Sequence, residues 1–143
     1  MIQIRRSALV RYSPTQMFDL VNDVETYPQR FTWCVGATVL ERTESALTAR
    51  MEVRVAGFTQ TFTTRNALER PNRMGMKLVD GPFRALEGDW TFAPLGDIGC
   101  KIAFALDFEY AGKLVGSVLQ LGFQGLADRM VDDFCREAAR TYG

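Results

Sequence analysis

Between Lys113 and Arg140 the apolar residues Val115, Leu119, Phe123, Leu126, Met130 and Phe134 recur every three or four positions. That spacing places them on one stripe of a helix, and about 28 helical residues would run roughly 42 Å at 1.5 Å per residue. A stripe of that length must be buried against something equally long. Its first half, Leu114 to Ala127, has no charged residue, whereas Asp128, Arg129, Asp132, Asp133, Arg136, Glu137 and Arg140 give the second half a solvent side. The uncharged run of 14 residues is too short for a membrane span, which takes about 20 apolar residues. Gly116, Gly122 and Gly125 fall in this half. Each costs about 1 kcal/mol relative to alanine inside a helix, so they call for a reason in close packing or in ligand access.

Upstream the period is two. Leu47, Ala49, Met51, Val53 and Val55 alternate with Thr48, Arg50, Glu52 and Arg54, the pattern of a half-buried antiparallel strand. Gly57 marks a turn, after which Phe58, Gln60, Phe62 and Thr64 alternate with threonines. Turn residues at Pro71-Asn72, Asp80-Gly81-Pro82 and Pro94-Leu95-Gly96-Asp97 separate strands at Met74–Leu78, Leu86–Phe92 and Cys100–Tyr110. Two further strands are expected, from Val35 onward and at Ile2–Val10, the latter with Arg6 interrupting its inward face. Ser13-Pro14-Thr15-Gln16 is a helix start, with Ser13 as cap, Pro14 in the first turn and Gln16 completing a capping box. The short helix that follows, with Met17, Phe18, Leu20 and Val21 inward, is expected to stop at Tyr27-Pro28.

This order fits one α+β domain over residues 1–143: a curved antiparallel sheet of about seven strands wrapped around the long C-terminal helix, with two short helices after the first strand. A curved sheet cannot close on a straight helix along its whole length. A cavity lined by Phe, Met, Leu and Trp side chains is the expected by-product.

The chain has no histidine, which removes the usual neutral-pH general base and the commonest metal ligand. Cys34, Cys100 and Cys135 are widely spaced and read as buried thiols of a reducing compartment. Met1 to Arg6 contains no apolar signal core, so a cytoplasmic address is expected. Glu87, Asp89, Asp107 and Glu109 alternate on neighbouring strands and read as solvent-facing partners of Arg or Lys, not as an acid/base pair. Seventeen basic residues balance seventeen acidic ones, so no net field favours DNA. Arg5, Arg6, Arg11, Arg65, Arg70 and Arg73 form at most local patches. No catalytic residue, metal or cofactor is assigned.

Three motifs are nonetheless specific. Tyr27-Pro28-Gln29-Arg30-Phe31-Thr32-Trp33-Cys34, the run Leu78 to Trp90 around Asp80-Gly81-Pro82-Phe83, and the ending Val131-Asp132-Asp133-Phe134-Cys135 resemble, in order, signatures of the coenzyme Q-binding START-like family. Arg30-Phe31-Thr32 departs from the compact apolar approach to Trp33 that the family pattern leads one to expect. The resemblance implies a helix-grip fold whose hydrophobic tunnel takes ubiquinone or another polyisoprenoid lipid as bound ligand, not as redox cofactor. It implies a non-catalytic role supporting respiration, with peripheral contact at the cytoplasmic face of the inner membrane. A bacterial branch is instead named for a ribosome association toxin that binds the large ribosomal subunit and blocks subunit joining. An enzyme of the same superfold acting on a polyketide-like substrate is the least favoured reading, given the missing histidine.

The expected cavity or mouth residues come from three places. The first helix and the segment after it supply Phe18, Tyr27, Phe31 and Trp33, with the polar tips of Tyr27 and Trp33 turned to water or a quinone head group. The strands supply Phe58, Phe62, Met76, Phe83, Leu86, Trp90, Phe104 and Phe108. The terminal helix supplies Leu119 and Phe123. Phe83 at its turn is expected either to fold back or, beside Arg84, to meet a bilayer.

Overall fold

The computed structural model describes residues 1–112 and 116–143. Strand β1 (Ile2–Val10) leads into helix α1 (Pro14–Asn22), a 3-10 turn (Val24–Thr26) and helix α2 (Tyr27–Arg30). Six strands follow: β2 (Cys34–Arg42), β3 (Ala46–Val55), β4 (Phe58–Glu69), β5 (Arg73–Asp80), β6 (Phe83–Leu95) and β7 (Gly99–Tyr110). Helix α3 (Gly116–Tyr142) ends the chain. The helix start read at Lys113, with Leu114 and Val115, lies outside the described residues.

All seven strands form one antiparallel sheet in the order β1-β7-β6-β5-β4-β3-β2. The meander from β2 to β7 follows from its short turns, and β1 returns to pair with β7, Ile4 opposite Leu106 and Ala8 opposite Ile102. Register shifts at Cys34/Gly36, Val39/Glu41, Thr63/Thr64 and Phe83/Ala85 interrupt the ladders. Such bulges bend strands and increase their twist, which lets the sheet curve around α3.

The capping box forms as the sequence predicts: Gln16 N–H donates to Ser13 Oγ at 3.1 Å, and Ser13 N–H donates to Gln16 Oε1 at 2.9 Å. The end of the helix differs. It breaks at Asp23 (φ −85°, ψ 59°), and Tyr27 is helical (φ −53°, ψ −41°) and opens α2. Pro28 sits in the first turn of α2, where its missing N–H has no intrahelical partner to lose. The usual bias against helical geometry before proline is overridden by tertiary packing. The Tyr27 ring lies edge-on to Phe31, Trp33 and Phe134, and its hydroxyl donates to the Val21 carbonyl.

The concave face of the sheet holds the core. Trp90 stacks on Phe104 with centroids 4.4 Å apart, and Phe18 meets Phe92 edge-on at 5.7 Å. Arg6, in the inward phase of β1, is met by Asp128 of α3 at 2.5 Å. Three of the four alternating strand carboxylates pair with arginines, Asp107 with Arg5 at 2.9 Å, Glu109 with Arg84 at 3.7 Å, and Asp89 with Arg73, while Glu87 stands opposite Lys77 in the β5–β6 register. Cys34, Cys100 and Cys135 are free thiols, the first two buried as expected and Cys135 only half-buried. Among the described residues, no helix is long and apolar enough to cross a membrane.

The helix glycines split. A Cβ at Gly122 would lie 2.8 Å from Val55 Cγ1 and 3.3 Å from Ala56 Cβ, so glycine there permits close approach of α3 to the end of β3. A Cβ at Gly125 would meet nothing within 4 Å, so packing gives no reason for that glycine.

Candidate functional site

A cavity lies where the sheet and α3 fail to meet. Its sheet wall is built from inward positions of β3 (Ala49, Met51, Val53), β4 (Phe62, Thr64, Asn66), β5 (Met74, Met76), β6 (Leu86, Trp90) and β7 (Phe104, Leu106). Phe123, Leu126, Met130 and Phe134 of α3 form its roof, and Val21, Val24, Tyr27 and Trp33 close the end nearest the short helices. The cavity volume is about 90 Å³. At about 10–15 Å³ for each water this is room for several waters, well below the roughly 300–1,000 Å³ of pockets that enclose drug-sized ligands.

Eight of the fourteen residues expected at the cavity lie on it: Tyr27, Trp33, Phe62, Met76, Leu86, Trp90, Phe104 and Phe123. The others are placed elsewhere. Phe18 is buried against Phe92 and does not line the hollow. Phe31 stacks on Trp33 at 4.9 Å and packs on Phe134, filling space behind the lining. Phe83 folds back, its ring 5.0 Å from Phe123 and 4.6 Å from Tyr110, and with Phe108 it forms an aromatic cluster beyond the cavity. Leu119 is buried on α3 one turn before Phe123. Phe58, the first residue of β4, is 60 % exposed.

The polar tips of Tyr27 and Trp33 also differ from expectation. Neither faces a ligand or open water: the Tyr27 hydroxyl is committed to Val21, and Trp33 Nε1 donates to Asp133 Oδ2 at 3.1 Å. Burial raises the Tyr27 hydroxyl pKa far above the ordinary tyrosine value, so it stays protonated. The Cys34 thiol is likewise pushed up, to about 11, chiefly by burial. No activated nucleophile results from these shifts.

Sequence reasoning missed two lining residues of a different kind. Thr64 and Asn66 are buried, and Thr64 Oγ1 donates to Asn66 Oδ1 at 3.0 Å. The signal was there in the inward alternation Phe62, Thr64, Asn66, Leu68, where two polar residues interrupt an apolar phase.

Outside the cavity, across Trp33, an open groove of about 520 Å³ runs between Arg30–Trp33 and the last turns of α3. Arg30 bridges it, donating to Glu137 at 3.2 Å and to Thr141 at 2.9 Å. The unusual Arg30-Phe31-Thr32 sequence is thus used to tie α2 to α3, with Phe31 beneath and Arg30 above.

The family described as "Polyketide cyclase / dehydrase and lipid transport" matches residues 10–135. "Ribosome association toxin RatA" of Escherichia coli (strain K12) is 46 % identical over 99 % of this chain and 90 % of its own length. "Coenzyme Q-binding protein COQ10 homolog B, mitochondrial" of Xenopus laevis is 27 % identical over 99 % of this chain and 60 % of its own. Among solved structures, the Zhui aromatase/cyclase from Streptomyces sp. R1128 superposes with a TM-score of 0.84 at 18 % identity, over 99 % of this chain and 96 % of that one. A START superfamily protein from Mycobacterium smegmatis gives 0.82 at 20 % identity, over 96 % and 97 %. The structural likenesses fix the helix-grip architecture, and a shared fold does not by itself carry a function. With the family pattern running through nearly all of its elements, the chain belongs to the polyketide cyclase / dehydrase and lipid transport family.

Proposed function

We propose that this chain is a non-catalytic, cytoplasmic protein that associates with the large ribosomal subunit and hinders subunit joining. The observation behind the reading is 46 % identity, held along 99 % of the chain, to a relative named for ribosome association. The size of the cavity points the same way. A hollow of about 90 Å³ has no room for a long polyisoprenoid tail unless α3 and the sheet separate, which shifts weight to the molecular surface. The lining described above offers no carboxylate, amine or thiol for acid/base work, in keeping with a protein that binds and does not transform. Overexpression followed by sucrose-gradient profiling tests the proposal. Joined ribosomes should fall and free subunits rise; an unchanged profile at high protein level contradicts it.

A second reading is favoured by the cavity itself. Apolar lining from five strands and a helix is the setting in which burial at about 25 cal/mol per Å² holds a compact apolar ligand. The coenzyme Q-binding relative makes ubiquinone, or another isoprenoid, the first molecule to look for. Solvent extraction of the purified protein followed by mass spectrometry would reveal such a ligand, and absence of any quinone, carried or taken up, counts against it.

A further inference from the structure

We infer that the cavity is a recognition site for a compact apolar molecule bearing a carbonyl oxygen, and that the Asn66 side-chain amide is the group that reads that oxygen. The inference rests on the second reading above, that the hollow takes a ligand.

Asn66 is 4 % exposed and lies on the cavity wall. Its orientation is fixed from both ends. The Thr64 hydroxyl donates to Oδ1 at 3.0 Å, and Nδ2 faces Met74 Sδ at 3.9 Å. A thioether sulfur has no hydrogen to give, so the amide turns its N–H side toward it and its carbonyl side toward Thr64. Nδ2 has two hydrogens and, among the described residues, this one distant, weak acceptor. Water in the hollow can serve this donor, and a ligand that displaces the water must bring an acceptor of its own or leave the amide unpaired at a cost.

The remaining polar atoms on the wall do not compete. Those of Tyr27 and Trp33 are spent on Val21 and Asp133, leaving Thr64 and Asn66 as the polar spot in an otherwise apolar lining among the described residues. A carbonyl suits this spot better than a hydroxyl or an amine, because it accepts from Nδ2 and adds no hydrogen needing a partner of its own. A pure hydrocarbon would fill the space and leave the amide unpaired. The pair Thr64–Asn66 is therefore a selectivity element, with Asn66 as donor and Thr64 as the residue that holds it in register.

Acetophenone and α-methylstyrene test this, since they share a shape and differ in carrying C=O or C=CH₂. Both are titrated into the ¹⁵N-labelled full chain and followed by amide NMR. Both should perturb cavity residues, but acetophenone alone should move the Asn66 Nδ2 protons downfield. In Asn66→Leu the affinity for acetophenone should fall roughly three- to tenfold while that for α-methylstyrene holds or rises. If Asn66→Leu does not fold, the wild-type downfield shift decides alone. Perturbation of the cavity by both compounds with the Asn66 amide unmoved overturns the anchor and leaves the ligand reading standing. No perturbation by either compound overturns both.

Discussion

The two halves of α3 are held in different ways. From Asp128 onward the helix is cross-tied to the rest of the chain: Asp128 to Arg6, Asp133 to Trp33, Glu137 to Arg30, and Tyr142 to the Gln16 carbonyl at 3.0 Å. Phe134 adds contacts with Tyr27, Phe31 and Trp90. From Val118 to Leu126 the attachment is, among the described residues, apolar. Leu119 and Phe123 point inward, while Val118 and Leu121 are 61 % and 69 % exposed. Directional bonds fix the second half in one register over the sheet; the first half is held by burial, which is indifferent to direction. The cavity spans the junction, bounded by Phe123 on one side and Phe134 on the other. Any widening of the hollow is therefore expected to come from the first half.

The largest test of this contrast is Phe134→Ala, which empties the junction of the aromatic cluster. It should cost about 3–5 kcal/mol in denaturant unfolding. A loss below about 1 kcal/mol would mean that the second half is not the anchor. Next is Glu137→Ala, which leaves the largely buried Arg30 guanidinium without its main carboxylate. A loss of about 2 kcal/mol is expected, with faster hydrogen exchange confined to α2 and the last turns of α3.

The glycines sharpen the comparison within the first half. Gly125→Ala should stabilise by roughly 0.5–1 kcal/mol, because its Cβ enters open space. Gly122→Ala should show no such gain, since its Cβ would press on the stiff Val55 side chain. Equal thermal shifts in the two variants would contradict the close approach of α3 to β3. The smallest effect concerns alkaline pH. Cys34, next to the anchored junction, ionises near 11 in the fold against about 9 for an ordinary thiol. The native state then holds the proton more tightly, so this contribution is whole below pH 9 and is lost as pH rises toward 11. Cys34→Ala should flatten the stability profile over that window, leaving the steeper loss at higher pH that the raised Tyr27 pKa entails.

Local patterns were legible in the sequence because local physics produces them. Alternation gave the strands of the meander, Ser13 and Gln16 gave the start of α1, and the three-four stripe gave α3. The family motifs gave the grip architecture. What depended on contacts between distant segments was not legible. The break at Asp23 is decided by where Tyr27 is buried, and the polar tips of Tyr27 and Trp33 are decided by Val21 and Asp133. Phe58 carries the inward phase of its strand but is exposed at the strand's first position. Cavity size is a small difference between the curvature of the sheet and the volumes of some twenty side chains, and no pattern along the chain encodes it. Asn66 was visible as an interruption of phase, yet its meaning appears only once Thr64 and Met74 flank it.

The most direct measurement is sedimentation of the purified chain with isolated large and small ribosomal subunits at moderate salt. If the surface carries the function, the protein travels with the large subunit in a saturable, near-stoichiometric amount and stays behind with the small one. Protein left at the top of the gradient in both cases would contradict ribosome association and return the cavity to first place.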